Sequence, residues 1–355
     1  MNHSRIDPAA IVSSPDWLLA GIDPDAEQLS FARVSRDTYL DSSFLDHRIR
    51  PLPEQVQSLS LAQTMELLNK APPAPPAGYI LHSAFTGSTL LAACLNQPGR
   101  ALVLKEPLVL SRLAGYYRAW RAAGELDQRT DLIDTVIHLL ERRYQQSEPV
   151  LIKPSNYANA LSRKILDLAP RRPVLLMVDS LRRFLISNLK KSDESRQQIP
   201  QFLNAFLQDG NYQEKISGLD WGALDWLRQC VVVWHCQLAG FQTLLENPDY
   251  PQLRSVDMRH WLARPLDALQ ACSELFGISL SKAECRTIIE QGPFQRHSKD
   301  QGVNFSSSQY QAESQQIESA HKKQLEQALD WYDSTLAIRL AVELPLPRPL
   351  LTDLP

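Results

Sequence analysis

The stretch Tyr79–Leu91, YILHSAFTGSTLL, constrains this chain more than any other. Tyr79, Ile80 and Leu81 make a short apolar strand, small residues make a turn, and a helix begins around Gly87, Ser88 and Thr89. A strand that passes through such a turn into a helix leaves backbone N–H groups converging at the positive end of the helix dipole. Phosphate or sulfate suits that position. The plain alternative is an ordinary βα turn in which Gly87 only serves the bend. The full G-x-x-x-x-G-K-[ST] pattern is absent, because Ser88 occupies the lysine position.

Downstream of this stretch, short apolar runs alternate with helical spacing. Ala101–Leu104 ends in Lys105-Glu106-Pro107, Val150–Ile152 ends in Lys153-Pro154-Ser155, and Val174–Val178 ends in Asp179. Helical segments are expected at 126–144, 158–168, 181–191, 226–245 and 266–276. Continuous apolar strands between helices predict an α/β fold, a central parallel sheet flanked by helices. Such sheets bind ligands at the carboxyl ends of their strands. Lys105, Glu106, Lys153 and the turn after Leu81 all fall there. His82 follows directly on a buried strand and is expected to be a satisfied core histidine. His235 is expected in the core as well.

Residues 1–77 form an N-terminal cap, with helical spacing at Leu61, Thr64, Met65 and Leu68 and a stiff linker, Pro72-Pro73-Ala74-Pro75-Pro76. The α/β domain is expected over 78–344. It ends in a long helix, 312–340, with Ile317, Leu325, Leu329, Tyr332, Leu336 and Leu340 along one side. A proline-rich extended tail, 345–355, follows, and no internal repeat is visible. With 44% hydrophobic residues, 355 residues are enough to bury a large core. A formal net charge of −3 gives no reason to expect nucleic acid. No apolar run reaches membrane-spanning length. The five scattered cysteines form no C-x-x-C pair, which suggests neither a zinc site nor a disulfide framework but reduced thiols in a cytoplasmic protein.

Taken together, several stretches resemble the sulfotransferase superfamily. The segment Phe85-Thr86-Gly87-Ser88-Thr89-Leu90-Leu91 is similar to that family's strand–loop–helix, and Lys105-Glu106-Pro107 to its acidic-proline segment. Leu181–Ser187 is similar to the helix that carries a phosphate-binding serine, and Arg296–Lys299 to a basic C-terminal loop. The resemblance covers about residues 78–340 and implies a P-loop NTPase-like three-layer fold. It implies 3′-phosphoadenosine-5′-phosphosulfate (PAPS) as co-substrate, with no metal, and a hydroxyl or amine acceptor on a small molecule, a carbohydrate or a peptide. Thr86, Gly87, Ser88, Thr89 and Leu90 would cradle the 5′-phosphosulfate. Arg183, Ser187, Arg296, Ser298 and Lys299 would hold the 3′-phosphate. Glu106 would be the base, with Lys105 and Lys153 the cations beside the transferring group. Segments 116–128 and 197–220 would line the acceptor pocket.

This chain departs from the family pattern at two places. Phe85 stands where many members carry a lysine or arginine, and Asp179 where an arginine usually precedes the phosphate-binding serine. Two other readings are a P-loop phosphotransferase using ATP or GTP, for which Asp179 is the best available magnesium ligand, and a non-catalytic nucleotide-binding protein of the same fold.

Overall fold

The computed structural model describes residues 6–72, 74–295 and 307–351. Its centre is a five-stranded sheet of β4 (Gly78–His82), β5 (Leu102–Lys105), β6 (Val150–Lys153), β7 (Val174–Val178) and β8 (Leu253–Asp257). The strand order is β5-β6-β4-β7-β8 and every pairing is parallel. Strands this apolar have to be covered on both faces. Tyr79, Leu81, Leu104, Ile152 and Leu176 pack on one side with Ile133, Ile137 and Val231. Ile80, Val103, Leu151, Leu175 and Met177 pack on the other with Leu90, Leu91 and Leu269. The result is helices, sheet, helices: the three-layer α/β architecture expected.

The sheet order also fixes where a ligand can sit. From β4 the chain crosses to β5, returns through β6 and then passes to β7 on the opposite side of β4. The crossovers therefore diverge at the carboxyl end of β4, the switch point at which open α/β sheets form their binding crevice. At the opposite end of the strands, Arg172 donates to Glu141 at 2.7 Å and lies over the Tyr79 ring, 5.3 Å from its centroid. Both charged groups of that pair are buried. It ties the start of β7 to the Thr130–Leu140 helix region, so the far end of β4 is held firmly.

Two expectations are corrected. The cap, expected to be helical, is built on a three-stranded antiparallel sheet of β1 (Trp17–Asp23), β2 (Gln28–Arg33) and β3 (Val56–Ser60), with short helices around it, Leu61–Lys70 among them. Its strands were hidden because Trp17, Leu18 and Leu19 are all buried, so no alternation marks them. The long C-terminal helix is divided in two, Ser307–Ala320 and Lys322–Trp331, followed by a π-turn at Tyr332–Leu336. The break falls at His321 (φ −114, ψ 18), whose ring bonds the Gln324 amide at 3.1 Å.

The cap is fastened to the sheet edge beside β5. Leu45 N–H donates to the Lys105 carbonyl at 2.7 Å and its own carbonyl accepts from Leu108 at 2.9 Å. Asn96 reaches the Tyr39 carbonyl at 2.8 Å. On the opposite edge, a strip of the C-terminal segment runs along β8. Ser255 N–H donates to Arg348 O at 3.0 Å, and Leu350 N–H to Ser255 O at 2.7 Å.

Candidate functional site

The turn after β4 is held from beneath by its own first residue. Ala84 N–H donates to Nδ1 of His82 at 3.1 Å, which leaves the ring proton on Nε2, aimed at the Pro154 carbonyl at 3.1 Å. His82 is thus neutral and structural, joining β4 to the end of β6. Asn159 and Gln237 hold the His82 and Ser83 carbonyls from the side, at 3.1 and 3.4 Å. The backbone is left-handed at Ala84 (φ 71), Phe85 (φ 54) and Gly87 (φ 70). Each non-glycine residue there costs about 1–2 kcal/mol, and strain of this kind collects at functional sites.

That conformation opens the start of the Ser88–Leu95 helix. The first intrahelical bond is Leu91 N–H to Gly87 O at 3.0 Å, so the N–H groups of Gly87, Ser88, Thr89 and Leu90 have no acceptor among the described residues. Three buried side-chain donors around the turn also lack a partner there, Ser83 Oγ, Thr86 Oγ1 and Trp261 Nε1, as does one acceptor, Asn159 Oδ1. A Cβ added to Gly87 would lie 3.2 Å from that indole nitrogen. A buried polar group left unpaired costs about 1–3 kcal/mol. Three of them beside four open backbone donors describe a cradle for an acceptor-rich ligand, such as a phosphate or sulfate group. Ser83 and Trp261 were not foreseen from the sequence.

Phe85, where the resemblance implies a basic residue, packs edge-on against Phe184 at 5.5 Å between ring centroids. The Lys191 ammonium lies 5.4 Å from its ring centroid. A cation therefore does approach the turn, but from the far end of the Leu181–Leu189 helix.

One strand away, Lys153 is fully buried and ion-paired with Glu106. Burial lowers the Lys153 pKa and the Glu106 charge opposes that shift. Glu106 is itself left-handed (φ 50), and its N–H donates to the Lys153 carbonyl at 2.6 Å. In register, Lys153 lies one strand, about 5 Å, from Ile80, two residues before the β4 end, and Lys105, next to Glu106, lies one strand further out. Phe44 of the cap covers this pair, its ring centroid 5.5 Å from Lys153 Nζ and 4.4 Å from the Arg48 guanidinium carbon. Lys105, although paired in register with Lys153, donates to the Leu40 carbonyl at 3.0 Å. Burial pulls its pKa down to about 8, with Asp41 opposing. Its ammonium serves the cap junction and not the cradle.

Of the groups expected at the 3′-phosphate, Arg183 lies past β7 and is engaged otherwise. Arg183 Nε faces Asp179 Oδ2 at 3.2 Å. Arg182 binds Glu318 and Glu326 at 2.8 and 3.0 Å. Ser187 is buried in its helix, and Arg296, Ser298 and Lys299 lie outside the described residues. The described residues therefore offer open donors to an oxyanion at the cradle, and place a carboxylate, Asp179, beside Arg183 where the 3′-phosphate is expected. Asp179 borders a cleft of about 240 Å³ with Asp257, Arg259 and His260.

Burial raises the Asp179 pKa to about 6, although Arg183 and the Ser180 N–H draw it down. A folded-state pKa above the unfolded value means that its stabilising protonation is complete below about pH 4. That contribution is lost as pH rises through about 6. At about 1.4 kcal/mol per tenfold change in proton affinity, the contribution is at most about 3 kcal/mol. Asp179→Asn is expected to flatten the pH 4–7 dependence of the urea midpoint; an unchanged slope in that variant would reject the assignment.

Segments 116–128 and 197–220 do meet. Arg121 lines a cleft of about 360 Å³ with Phe206, Tyr212 and Lys215, next to the Asn159 and Gln237 that hold the turn. His235 is fully buried, and burial lowers its pKa to about 4, as suits a core histidine. Among the described residues no three His, Cys, Asp or Glu side chains group as a metal site, and no helix is long and apolar enough to cross a membrane.

No protein-family model matches this chain, and no curated protein matches it. Among solved structures it is similar to the sulfotransferase domain from the curacin biosynthetic pathway, at 12% identity and a TM-score of 0.39, over 70% of this chain and 99% of that one. It is also similar to a sulfotransferase from Alicyclobacillus acidocaldarius, at 12% identity and a TM-score of 0.40, over 77% and 98%. A third likeness is to the sulfotransferase domain of the Synechococcus PCC 7002 olefin synthase, at 14% and 0.36, over 68% and 84%. At these values they are likenesses only, and the functional conclusion has to come from the site's own groups.

Proposed function

We propose that this protein is a PAPS-dependent sulfotransferase that moves a sulfuryl group onto a hydroxyl or amine. The observation that carries the reading is the unpartnered cradle at the β4 turn, Ser83, Thr86, Trp261 and the N–H groups of 87–90, with the Lys153–Glu106 pair on the neighbouring strand ends. The cradle would hold the 5′-phosphate of the donor. The acceptor oxygen or nitrogen would bond to sulfur as the bond from sulfur to the 5′-phosphate oxygen breaks. The acceptor proton would go to Glu106, and adenosine-3′,5′-bisphosphate would leave. Lys153, ion-paired with Glu106 on the strand end between it and the cradle, would offset charge on the transferring oxygens. The five cysteines, all buried and unpaired, suit a reducing, cytoplasmic setting.

A second reading, a nucleotide-binding protein without turnover, is favoured by one observation. Asp179 neutralises the arginine that would otherwise greet the 3′-phosphate.

Thermal unfolding with adenosine-3′,5′-bisphosphate, AMP and magnesium-ATP separates these readings. A ligand at a hundredfold excess over its dissociation constant stabilises the fold by about 2.7 kcal/mol, a rise on the order of 5 °C. The bisphosphate is expected to produce it. A response to magnesium-ATP alone would point to phosphoryl transfer instead. Binding of the bisphosphate with no turnover of PAPS would leave the second reading standing.

A further inference from the structure

The N-terminal cap carries a feature that the transfer chemistry does not use. An open cleft of about 500 Å³ on the cap is lined by Arg33, Arg48 and Arg50, together with Ser35, Thr38 and Gln55, and by no carboxylate. In a chain with a net charge of −3, three arginines on one small surface run against the average. Arg33 and Arg50 are exposed, and neither has an ion-pair partner among the described residues. Arg48 is fixed: its Nε and Nη2 bond the two oxygens of Asp46 at 2.7 and 2.6 Å, and its guanidinium lies on the Phe44 ring.

That ring joins the cleft to the candidate reaction site. Phe44 has Arg48 on it at 4.4 Å and Lys153 at 5.5 Å, and Lys153 is paired with Glu106. The segment holding Phe44 is pinned to β5 through Leu45, on both sides of Glu106. The Asp46 hydrogen bond raises the Arg48 pKa against its burial, and the Glu106 charge adds a smaller part. The cleft therefore lies, through Arg48, across the Phe44 ring from the pair that holds the residue assigned to take the acceptor's proton. Guanidinium groups suit planar or tetrahedral oxyanions, to which they donate two hydrogen bonds at once.

We infer that the cap cleft of Arg33, Arg48 and Arg50 is an acceptor subsite, and that the acceptor is a small molecule bearing a carboxylate, phosphate or sulfate in addition to the hydroxyl or amine that receives the sulfuryl group. This rests on the sulfotransferase reading for the word acceptor, but not for the anion site itself. Arg33 and Arg50 make the contact, and Arg48, locked on Phe44 and Asp46, sets the distance between the anion and Glu106.

The test uses the full chain with the cradle saturated by adenosine-3′,5′-bisphosphate and with tripolyphosphate as the anion probe. A further, saturable rise in the melting midpoint is expected. Arg33→Gln with Arg50→Gln is expected to weaken it at least tenfold while the response to the bisphosphate alone is retained. A wild-type protein that ignores the probe, or a double variant that binds it as well as wild type, overturns the subsite. In turnover, hydroxyl acceptors are compared in pairs with and without a carboxylate. The charged member is expected to have a KM at least tenfold lower in wild type and to lose that advantage in the double variant, with kcat unchanged. Equal use of both members in wild type overturns the acceptor assignment. If no acceptor is sulfated while the probe still depends on Arg33 and Arg50, the sulfotransferase reading fails, the acceptor assignment falls with it, and the anion site stands.

Discussion

Glu106→Gln is expected to lower turnover by about 10²–10⁴-fold, the usual contribution of a positioned general base, while the thermal response to adenosine-3′,5′-bisphosphate is kept. The side chain keeps its shape and loses the lone-pair charge that would accept the acceptor's proton. A loss smaller than tenfold would remove Glu106 from the chemistry. The substitution also has a stability signature. Lys153 is fully buried and its ammonium faces the Glu106 carboxylate. With an amide in that place, burial alone acts on Lys153 and its pKa falls further. A depressed lysine pKa means that the unfolded chain binds more protons, so the variant's stability rises with pH between the folded value and about 10.4. The loss at neutral pH should fall below the about 3–5 kcal/mol of a fully buried broken pair, because Glu106 is a quarter exposed. Urea midpoints at pH 7 and pH 9.5 would show it. Adding Lys153→Met should restore the pH 7 midpoint without restoring turnover.

The second large effect belongs to the cradle. Gly87→Ala places a methyl group 3.2 Å from the Trp261 indole nitrogen, on a backbone with φ +70. The conformation costs about 1–2 kcal/mol for any residue with a Cβ. The ring cannot swing away freely, since Phe294 packs edge-on to it at 5.6 Å. Binding of adenosine-3′,5′-bisphosphate is expected to weaken at least tenfold. Because strain alone could do this, Trp261→Phe is the sharper companion. It keeps an aromatic ring, a smaller one, and removes a buried donor that has no partner among the described residues. Relief of the unpaired donor offsets part of the packing lost with the larger ring, so the free protein should stay folded. The bisphosphate should bind about 10–100-fold more weakly, the worth of one hydrogen bond to a charged group. Unchanged affinity in Trp261→Phe, measured by titration calorimetry, would show that the indole N–H is not part of the cradle.

What could be read from the sequence was local. Tyr79–Leu81 followed by small residues announces a strand and an open helix start without reference to the rest of the chain, and Lys105, Glu106 and Lys153 stand out because charges end apolar runs. What could not be read depended on partners far away in sequence. Lys105 and Lys153 look alike as strand ends, yet one ammonium is taken by a cap carbonyl and the other by Glu106. Trp261 reaches Gly87 only through the packing of β8's following helix, Met258–Ala263, over the turn. The cap sheet did leave one local signal: Asp23 accepts from the N–H groups of Asp25 and Ala26, at 3.2 and 3.0 Å, in the turn between β1 and β2. Asp179 was visible as the wrong residue for a phosphate, and the structure adds that it engages Arg183.

The strip along β8 has a consequence for the molecule's behaviour in company. An outer parallel strand offers a row of open donors and acceptors to any other chain, which is how sheets join edge to edge and precipitate. Here Ser255 is paired on its outer side by Arg348 and Leu350, and its hydroxyl donates to Pro347 O at 2.8 Å. Pro345, Pro347 and Pro349 have no N–H to offer onward. The strip is a selvedge: it finishes the weave at Ser255, and at three of its residues gives the next thread no N–H to catch.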